Sequence, residues 1–301
     1  MNESTSHTKI YILMVLSAFF WSGAFIAGKF SVPYIPPCTL TFLRFFFATL
    51  ILYFVMRSNN KELAEETYRF KKEHIPFFLF TGIVGMLGYH VLFFSALKYT
   101  TAINSSVIGA TNPIVTTMIA ATVMGSKFPP KQIAGILLSF SGVILTITSA
   151  DLKVLTNLSF NKGDLLMLAA VVCWATYGVV SKSKGKDINP VALTYYSFLF
   201  CCIFSIPLLI LEKPWTFIFK IPTSAWIATL YMSIFASVIG YLVQQMAIKE
   251  IGPSRASIFI NLVPVFSIVL AVCILGEELV PVKILTAILI ITGVYICQKA
   301  S

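Results

Sequence analysis

Long apolar runs alternate with short polar connections along almost the whole chain. Ten runs of 18 to 25 residues are present, each close to the ~20 residues that a helix needs to cross a bilayer. They lie at 10–28, 39–57, 75–98, 102–125, 132–150, 163–182, 191–211, 224–248, 253–276 and 282–299. The pattern therefore predicts ten membrane-spanning helices, with boundaries good to a few residues.

The pattern is also internally repeated. Residues 96–143 return 151 positions later as residues 247–294, in one register without a gap. The matched identities include Pro113 with Pro264, Gly125 with Gly276, and Gly142 with Gly293. We therefore expect two repeats of five helices, residues 1–150 and residues 151–301.

The first apolar run is predicted to be a transmembrane helix of the first repeat and not a cleaved signal peptide. Its segment WSGAFIAGK (21–29) is echoed by WATYGVVSK (174–182), 153 positions on. A cleavable signal peptide would have no internal copy, so we expect helix 1 to remain in the mature protein.

Composition supports the membrane assignment. The chain is 57% hydrophobic and 11% charged, with a mean hydropathy of +0.87, whereas soluble domains carry about 25% charged residues. The six cysteines are scattered, without a C-x-x-C pair. We therefore predict no disulfide framework, no metal site and no cofactor.

The net charge of +10 reflects topology rather than nucleic-acid binding. With the N-terminus on one side, that side carries fourteen Lys and Arg residues and the other carries seven. The positive-inside rule then places both termini in the cytoplasm. Because each repeat has five helices, the second enters the membrane inverted relative to the first. Ser126-Lys127 on one side corresponds to Glu277-Glu278 on the other, as an inverted repeat predicts.

Together these features resemble the drug/metabolite transporter superfamily, specifically its ten-helix EamA-type members. The resemblance spans about residues 8–299. It rests on the paired halves, WSGAFIAGK, FLRFFFA (42–48), GYHVLFFSALKYT (88–100), and the proline-centred helices that end in glycine and a polar pair. It implies a basket of ten helices around a central cavity. It also implies transport of small metabolites, often amino acids and frequently outward.

The two prolines, Pro113 and Pro264, lie mid-helix at equivalent positions. Proline removes a backbone hydrogen bond and clashes with the preceding turn, so we expect paired helix bends near the midplane, where such folds bind substrate. The alternative is a kink that only shapes packing, and both roles can hold together.

Arg44 is the only charge well inside a predicted span. It could attract an anionic or carboxylate group, or it could be a structural arginine that caps carbonyls or snorkels outward. Ser197 stands at the equivalent place in the second half, so the repeat architecture does not require the charge.

His90 could bind substrate or carry a coupled proton, or it could be a packing histidine. The resemblance favours the cavity, because helix 3 lines it in the family. Tyr89 is a further candidate, although we expect it to point about 100° away around the helix.

Deep amides and mid-helix aromatic residues complete the candidate substrate site. The amides either face the cavity or join helices, and of the adjacent Gln244 and Gln245 at most one should point fully into a cavity. The aromatic residues would form a wall for an apolar or aromatic substrate group. These candidates are Asn112, Gln244, Gln245, Asn261, Trp21, Trp174 and Tyr177.

Several function classes are disfavoured. No Asp or Glu lies deep in a span, which argues against a proton-coupled cation antiporter, and no P-loop is present for ATP. We find no intramembrane protease or hydrolase motif, so an enzyme is a remote alternative, and the polar interior is too sparse for a channel.

We predict a multi-pass secondary transporter of the plasma (inner) membrane that exports amino acids by alternating access. It acts as a monomer or a homodimer in the lipid bilayer and binds no nucleic acid. The alternative is a carrier of another small organic solute: a quaternary amine, a nucleobase or an organic anion.

Overall fold

The computed structural model describes residues 3–58, 70–124, 129–148, 150–151, 160–185, 188–251 and 259–299. The chain in these ranges is folded into ten helical bodies, α1 to α10, and three short 3₁₀ helices at Lys72–His74, Pro214–Thr216 and Ile218–Lys220. Six are continuous or nearly so in regular α-helix, and they are α1 (Glu3–Ser31), α2 (Pro37–Ser58), α5 (Pro130–Thr148), α6 (Lys162–Lys184), α7 (Pro190–Glu212) and α10 (Pro281–Lys299).

The other four bodies change helix type or break. They are α3 (Ile75–Phe80, Thr81–Gly88 and Tyr89–Tyr99), α4 (Ala102–Gly109 and Asn112–Met124), α8 (Thr223–Tyr231, Met232–Ile239 and Gly240–Ile251) and α9 (Phe259–Asn261, Leu262–Leu270 and Ala271–Leu275). The middle segments of α3 and α8 are π-helical and so is the end of α9. The first two π segments begin 151 positions apart, so they occupy the same place in each repeat.

Six of the described helices are long and apolar enough to cross a membrane: α1, α2, α3, α6, α7 and α8. Shorter apolar helices lie at Pro130–Thr146, Phe259–Leu275 and Pro281–Cys297. The prediction of an all-α polytopic membrane fold is confirmed.

The helix packing follows the repeat. α1 packs on α8 and α9, and the equivalent helix α6 packs on α3 and α4. α2 pairs with its own equivalent α7, and α5 pairs with α10. Each major contact therefore has a counterpart when helices 1–5 are exchanged with helices 6–10, as expected for two repeats about a pseudo-twofold axis.

The α5–α10 pair shows how closely the repeats approach at this axis. A Cβ added to Gly135 would lie 2.6 Å from the backbone nitrogen of Cys297 and 2.6 Å from the carbonyl of Gly293. Gly293 in turn faces the carbonyl of Gly135 and the nitrogen of Ser139. Small residues at such crossings let helix backbones touch within a bilayer.

Helix 4 differs from its predicted continuous run at 102–125. The helix stops at Gly109, and residues 110–111 form a turn before a new helix begins at Asn112. Pro113 is then the second residue of that helix, where its missing N–H leaves no intrahelical bond unmade. Pro264 is similarly the third residue of Leu262–Leu270, after a 3₁₀ turn. The prolines thus begin new helical segments.

The predicted loop charge reversal lies partly outside the described residues, because Gly125, Ser126 and Lys127 are among those not described. Glu277 and Glu278 are described, in the connection between α9 and α10.

Candidate functional site

The main cavity lies between the two repeats. The space inside it, counting the part that is open to solvent, is about 720 Å³. Its walls come from α1, α2, α3, α4, α6, α8 and α9, so both repeats contribute. Seven of the predicted site residues line it: Trp21, Arg44, Tyr89, His90, Asn112, Trp174 and Gln244.

Three predicted residues lie outside this lining. Tyr177 is 4% exposed and packs between Trp174, at a ring distance of 5.2 Å, and Gly85. Gln245 interacts with the Tyr177 hydroxyl rather than with the cavity, so only one of the two adjacent glutamines lines it. Asn261 is buried beside the wall, next to Ile260, and its Oδ1 has no hydrogen-bond partner among the described residues.

Arg44 is the cationic group of the described lining. It is 3% exposed, and its Nε donates to Ser237 Oγ at 2.8 Å. Its guanidinium lies 5.5 Å from the centre of the Phe45 ring. Arg has five N–H donors, and Nε uses one of them. Within the described part of the chain the terminal nitrogens have no assigned hydrogen bond, so they are available for a ligand.

No acidic side chain balances Arg44 within the described part of the chain. The described residues that line the cavity include no Asp or Glu, and the groups that interact electrostatically with Arg44 are Tyr241, Tyr89, Cys201 and His90. A buried charge without a counter-charge is costly. An anionic ligand group in the cavity would remove that cost.

His90 is fixed in orientation by its own helix. Its Nδ1 lies 2.8 Å from the carbonyl oxygen of Met86, and since that oxygen can only accept, the neutral ring must carry its proton on Nδ1. Nε2 is then the acceptor. Phe45 and Tyr89 each lie 4.6 Å from the imidazole centre in edge-to-face geometry.

Tyr89 lines the cavity together with His90, although the two are adjacent on α3. The wall there is continued by α6. Tyr89 packs against Trp174 of α6 at a ring distance of 4.9 Å. Two adjacent residues of α3 therefore contribute to the cavity wall.

The tryptophans join this wall through Tyr241 of α8. The Tyr241 ring lies 5.4 Å from Trp174 and 6.5 Å from Trp21. Trp21 Nε1 donates to the carbonyl of Ala236 at 3.0 Å. The π segment of α8 therefore supplies two acceptors to cavity residues, Ala236 O for Trp21 and Ser237 Oγ for Arg44.

Asn112 holds α4 to α6 as well as lining the cavity. Its Nδ2 lies 3.5 Å from the carbonyl of Val171, and its Oδ1 accepts from Thr116 Oγ1 at 3.3 Å. Both interpretations of this amide, cavity contact and helix–helix contact, therefore describe the same side chain.

The cavity straddles the pseudo-twofold axis. Several residues that line it are repeat equivalents, 151 or 153 positions apart: Trp21 with Trp174, His90 with Tyr241, Phe93 with Gln244, Gly109 with Ile260, and Asn112 with Val263. Most pairs combine one polar and one apolar or aromatic residue. The backbone is thus symmetric, while the chemistry of the cavity is not.

Sequence reasoning missed Tyr241, Phe93 and Met167, which also line the cavity. A signal for Tyr241 was present: it stands 151 positions after His90. Met167 and Phe93 carry no comparable signal, because methionine and phenylalanine are frequent packing residues in apolar helices.

The comparisons with known proteins agree with this architecture. The model of the EamA-like transporter family matches residues 8–148 and again residues 161–297. The uncharacterized transporter YyaM of Bacillus subtilis is 31% identical over 288 residues, covering 96% of this chain and 93% of YyaM. An uncharacterized transporter of Archaeoglobus fulgidus is 29% identical over 296 residues, covering 96% and 97%.

A solved crystal structure shows the same fold. It aligns with a TM-score of 0.68 at 20% identity and covers 96% of this chain and 97% of its own. With two copies of the family model along its length, an all-helical two-repeat architecture and a cavity between the repeats, the chain belongs to the EamA-like transporter family.

Proposed function

We propose that the protein is a secondary transporter that exports amino acids by alternating access at the cavity between its repeats. The observation that supports this substrate class is Arg44, a buried guanidinium with free donors and no acidic partner in the described cavity. A substrate carboxylate would meet those donors, since arginine forks match carboxylate geometry.

The aromatic wall suits the other groups of an amino acid. The faces of Trp21, Trp174, Tyr89 and Tyr241 could hold an ammonium by cation–π attraction, or an apolar side chain by burial. The proposal of export is supported by the family resemblance. The proposal of proton coupling is supported by His90, whose Nε2 is the candidate proton carrier. Facilitated diffusion without a proton remains the alternative.

An organic anion is the second candidate substrate. It is favoured by the lack of any acidic residue in the lining, because nothing there neutralises a substrate ammonium. The same observation disfavours quaternary amines, which would share the cavity with the Arg44 charge.

Uptake into proteoliposomes would separate these substrates. Phenylalanine, phenylpropionate and phenethylamine share a ring but carry both charged groups, only the carboxylate, or only the amine. We expect saturable flux of phenylalanine and none of phenethylamine. Equal flux of phenylpropionate would favour the organic anion, and flux of the amine alone would refute the carboxylate site.

Arg57 offers a matched control for Arg44. It lies on the same helix, and its guanidinium contacts Tyr53 at 5.5 Å, like the Arg44–Phe45 contact, but it does not line the cavity. We expect Arg44→Gln to abolish carboxylate-dependent flux and Arg57→Gln to preserve it.

We further propose that both termini face the cytoplasm and that the protein resides in the plasma (inner) membrane. The asymmetry of Lys and Arg supports the orientation. YhbE of Escherichia coli, 24% identical over 259 residues, is named an inner membrane transporter. A C-terminal fluorescent or phosphatase fusion would report the side of the membrane on which the C-terminus lies.

The proposed oligomeric state is a monomer or a homodimer, and light scattering of the purified protein would distinguish the two.

A further inference from the structure

Glu212, at the C-terminal end of α7, binds the first turn of α2. Its Oε1 accepts from the Cys38 N–H at 3.0 Å, and its Oε2 accepts from the Thr39 N–H at 2.6 Å and the Thr39 hydroxyl at 2.7 Å. Cys38 and Thr39 are almost fully buried. A carboxylate of the second repeat thus satisfies orphan backbone donors of a helix in the first.

Glu277, in the connection after α9, binds the first turn of α4 in the same way. Its two oxygens accept from the Ala102 N–H at 2.7 Å and the Ile103 N–H at 3.1 Å. The preceding residue, Gly276, has φ +65°, a conformation that favours glycine. It turns the chain at the end of α9 so that Glu277 reaches α4. Lys29 of α1 adds an attractive charge near Glu277.

Both contacts lie at one end of the molecule, which we call the α1–α2 end. The other connections at this end are α3–α4, α5–α6, α7–α8 and α9–α10. Each joins the second repeat to the first, and each places a negative charge at the positive end of a helix dipole. A third bond across the repeats, from Thr100 Oγ1 to Asp164 Oδ1 at 2.5 Å, lies at the same end.

Neither carboxylate has a counterpart at the equivalent position of the first repeat. The repeat equivalents of Glu212 and Glu277 are Asn59 and Ser126, which carry no charge and lie outside the described residues. At these two positions the repeats therefore differ in charge.

Alternating access requires the repeats to part at one end and then at the other. Opening of the cavity at the α1–α2 end requires helices that meet there to separate. We propose that Glu212 and Glu277 are gate residues: they hold the cavity closed at the α1–α2 end by capping α2 and α4, and their release is a step of transport. The proposal is independent of which solute is carried.

The native cysteines report on this gate. Cys38 is 3% exposed and its N–H is bound by Glu212, whereas Cys297 is 1% exposed within α10, in its contact with α5. The purified protein would be treated with a maleimide, and the labelling rate of each cysteine would be read by peptide mass spectrometry. Glu278→Gln is the matched control, because Glu278 is an exposed neighbour with the same charge.

We expect Glu212→Gln to label Cys38 roughly fivefold to tenfold faster than the wild type, since glutamine has one acceptor oxygen and its NH₂ group cannot accept from the remaining N–H donor. Glu277→Gln should raise the same rate, and Glu278→Gln should not. Labelling of Cys297 should stay unchanged in all three. Unchanged Cys38 labelling in both gate variants would overturn the proposal, and so would a parallel rise at Cys297, which would indicate unfolding.

Discussion

The contact of α5 with α10 allows a quantitative test of the fold at its symmetry axis. Gly135→Ala places a methyl group 2.6 Å from backbone atoms of α10, where ordinary contact needs at least about 3.4 Å. Because those atoms belong to the backbone, the helices must separate by close to 1 Å. Overpacking of this kind costs about 1–3 kcal/mol.

Helix propensity works in the opposite direction. Alanine is favoured over glycine in a helix interior by about 1 kcal/mol, so the net loss for Gly135→Ala is about 0–2 kcal/mol. Gly178 of α6 provides the control, since a Cβ added there meets nothing within 4 Å. Gly178→Ala should therefore gain up to about 1 kcal/mol, which separates the two variants by about 1–3 kcal/mol.

The measurement is the unfolding midpoint of each purified variant in one detergent. We expect the midpoint of Gly178→Ala to equal or exceed that of the wild type. The midpoint of Gly135→Ala should lie below that of Gly178→Ala. The double variant Gly135→Ala/Gly293→Ala should cost less than the sum of its single changes, because one separation of the helices accommodates both methyl groups. Equal midpoints for Gly135→Ala and Gly178→Ala would refute the close backbone contact.

Three further outcomes are expected. Ser237→Ala removes the acceptor of Arg44 Nε and should raise KM for carboxylate substrates more than it lowers kcat. Ser237→Thr keeps the hydroxyl and should restore KM. An unchanged KM in Ser237→Ala would contradict the positioning of Arg44 by Ser237. His90→Gln should abolish the response of uptake to an imposed pH gradient, and a response that persists would exclude His90 as the proton carrier. Gly276→Ala, forced to a positive φ, should lose about 1–2 kcal/mol of stability in denaturant titrations and label Cys38 faster, like Glu277→Gln.

Much of the architecture could be predicted from apolar run length and the 151-residue register. Both depend on bulk properties, since a bilayer demands apolar helices of fixed length and a repeat conserves its apolar pattern. The break of α4 before Asn112 could not be placed in this way. A mid-run proline indicates that a helix is perturbed, but neighbouring contacts decide whether it bends, kinks or restarts.

Some residues of the candidate site could likewise be predicted from the sequence, and others could not. Arg44, His90 and Trp21 stand out because charge, imidazole and indole are rare deep in apolar runs. Which of two adjacent residues faces the cavity depends on helix rotation, and the π segments of α3 and α8 change that rotation locally. Glu212 looks in sequence like an ordinary helix-end charge, and only the three-dimensional contact with α2 identifies its partner.

The pseudo-twofold arrangement also bears on the energetics of the transport cycle. If the two repeats were chemically identical, exchanging their conformations would convert a state open at one end into a state open at the other with the same free energy. The resting population would then be divided equally, and only differences between equivalent side chains could bias it. Glu212 and Glu277 against Asn59 and Ser126 are such differences, and so are the unlike pairs that line the cavity. In the proposed mechanism, both sets would bias which way the empty carrier faces.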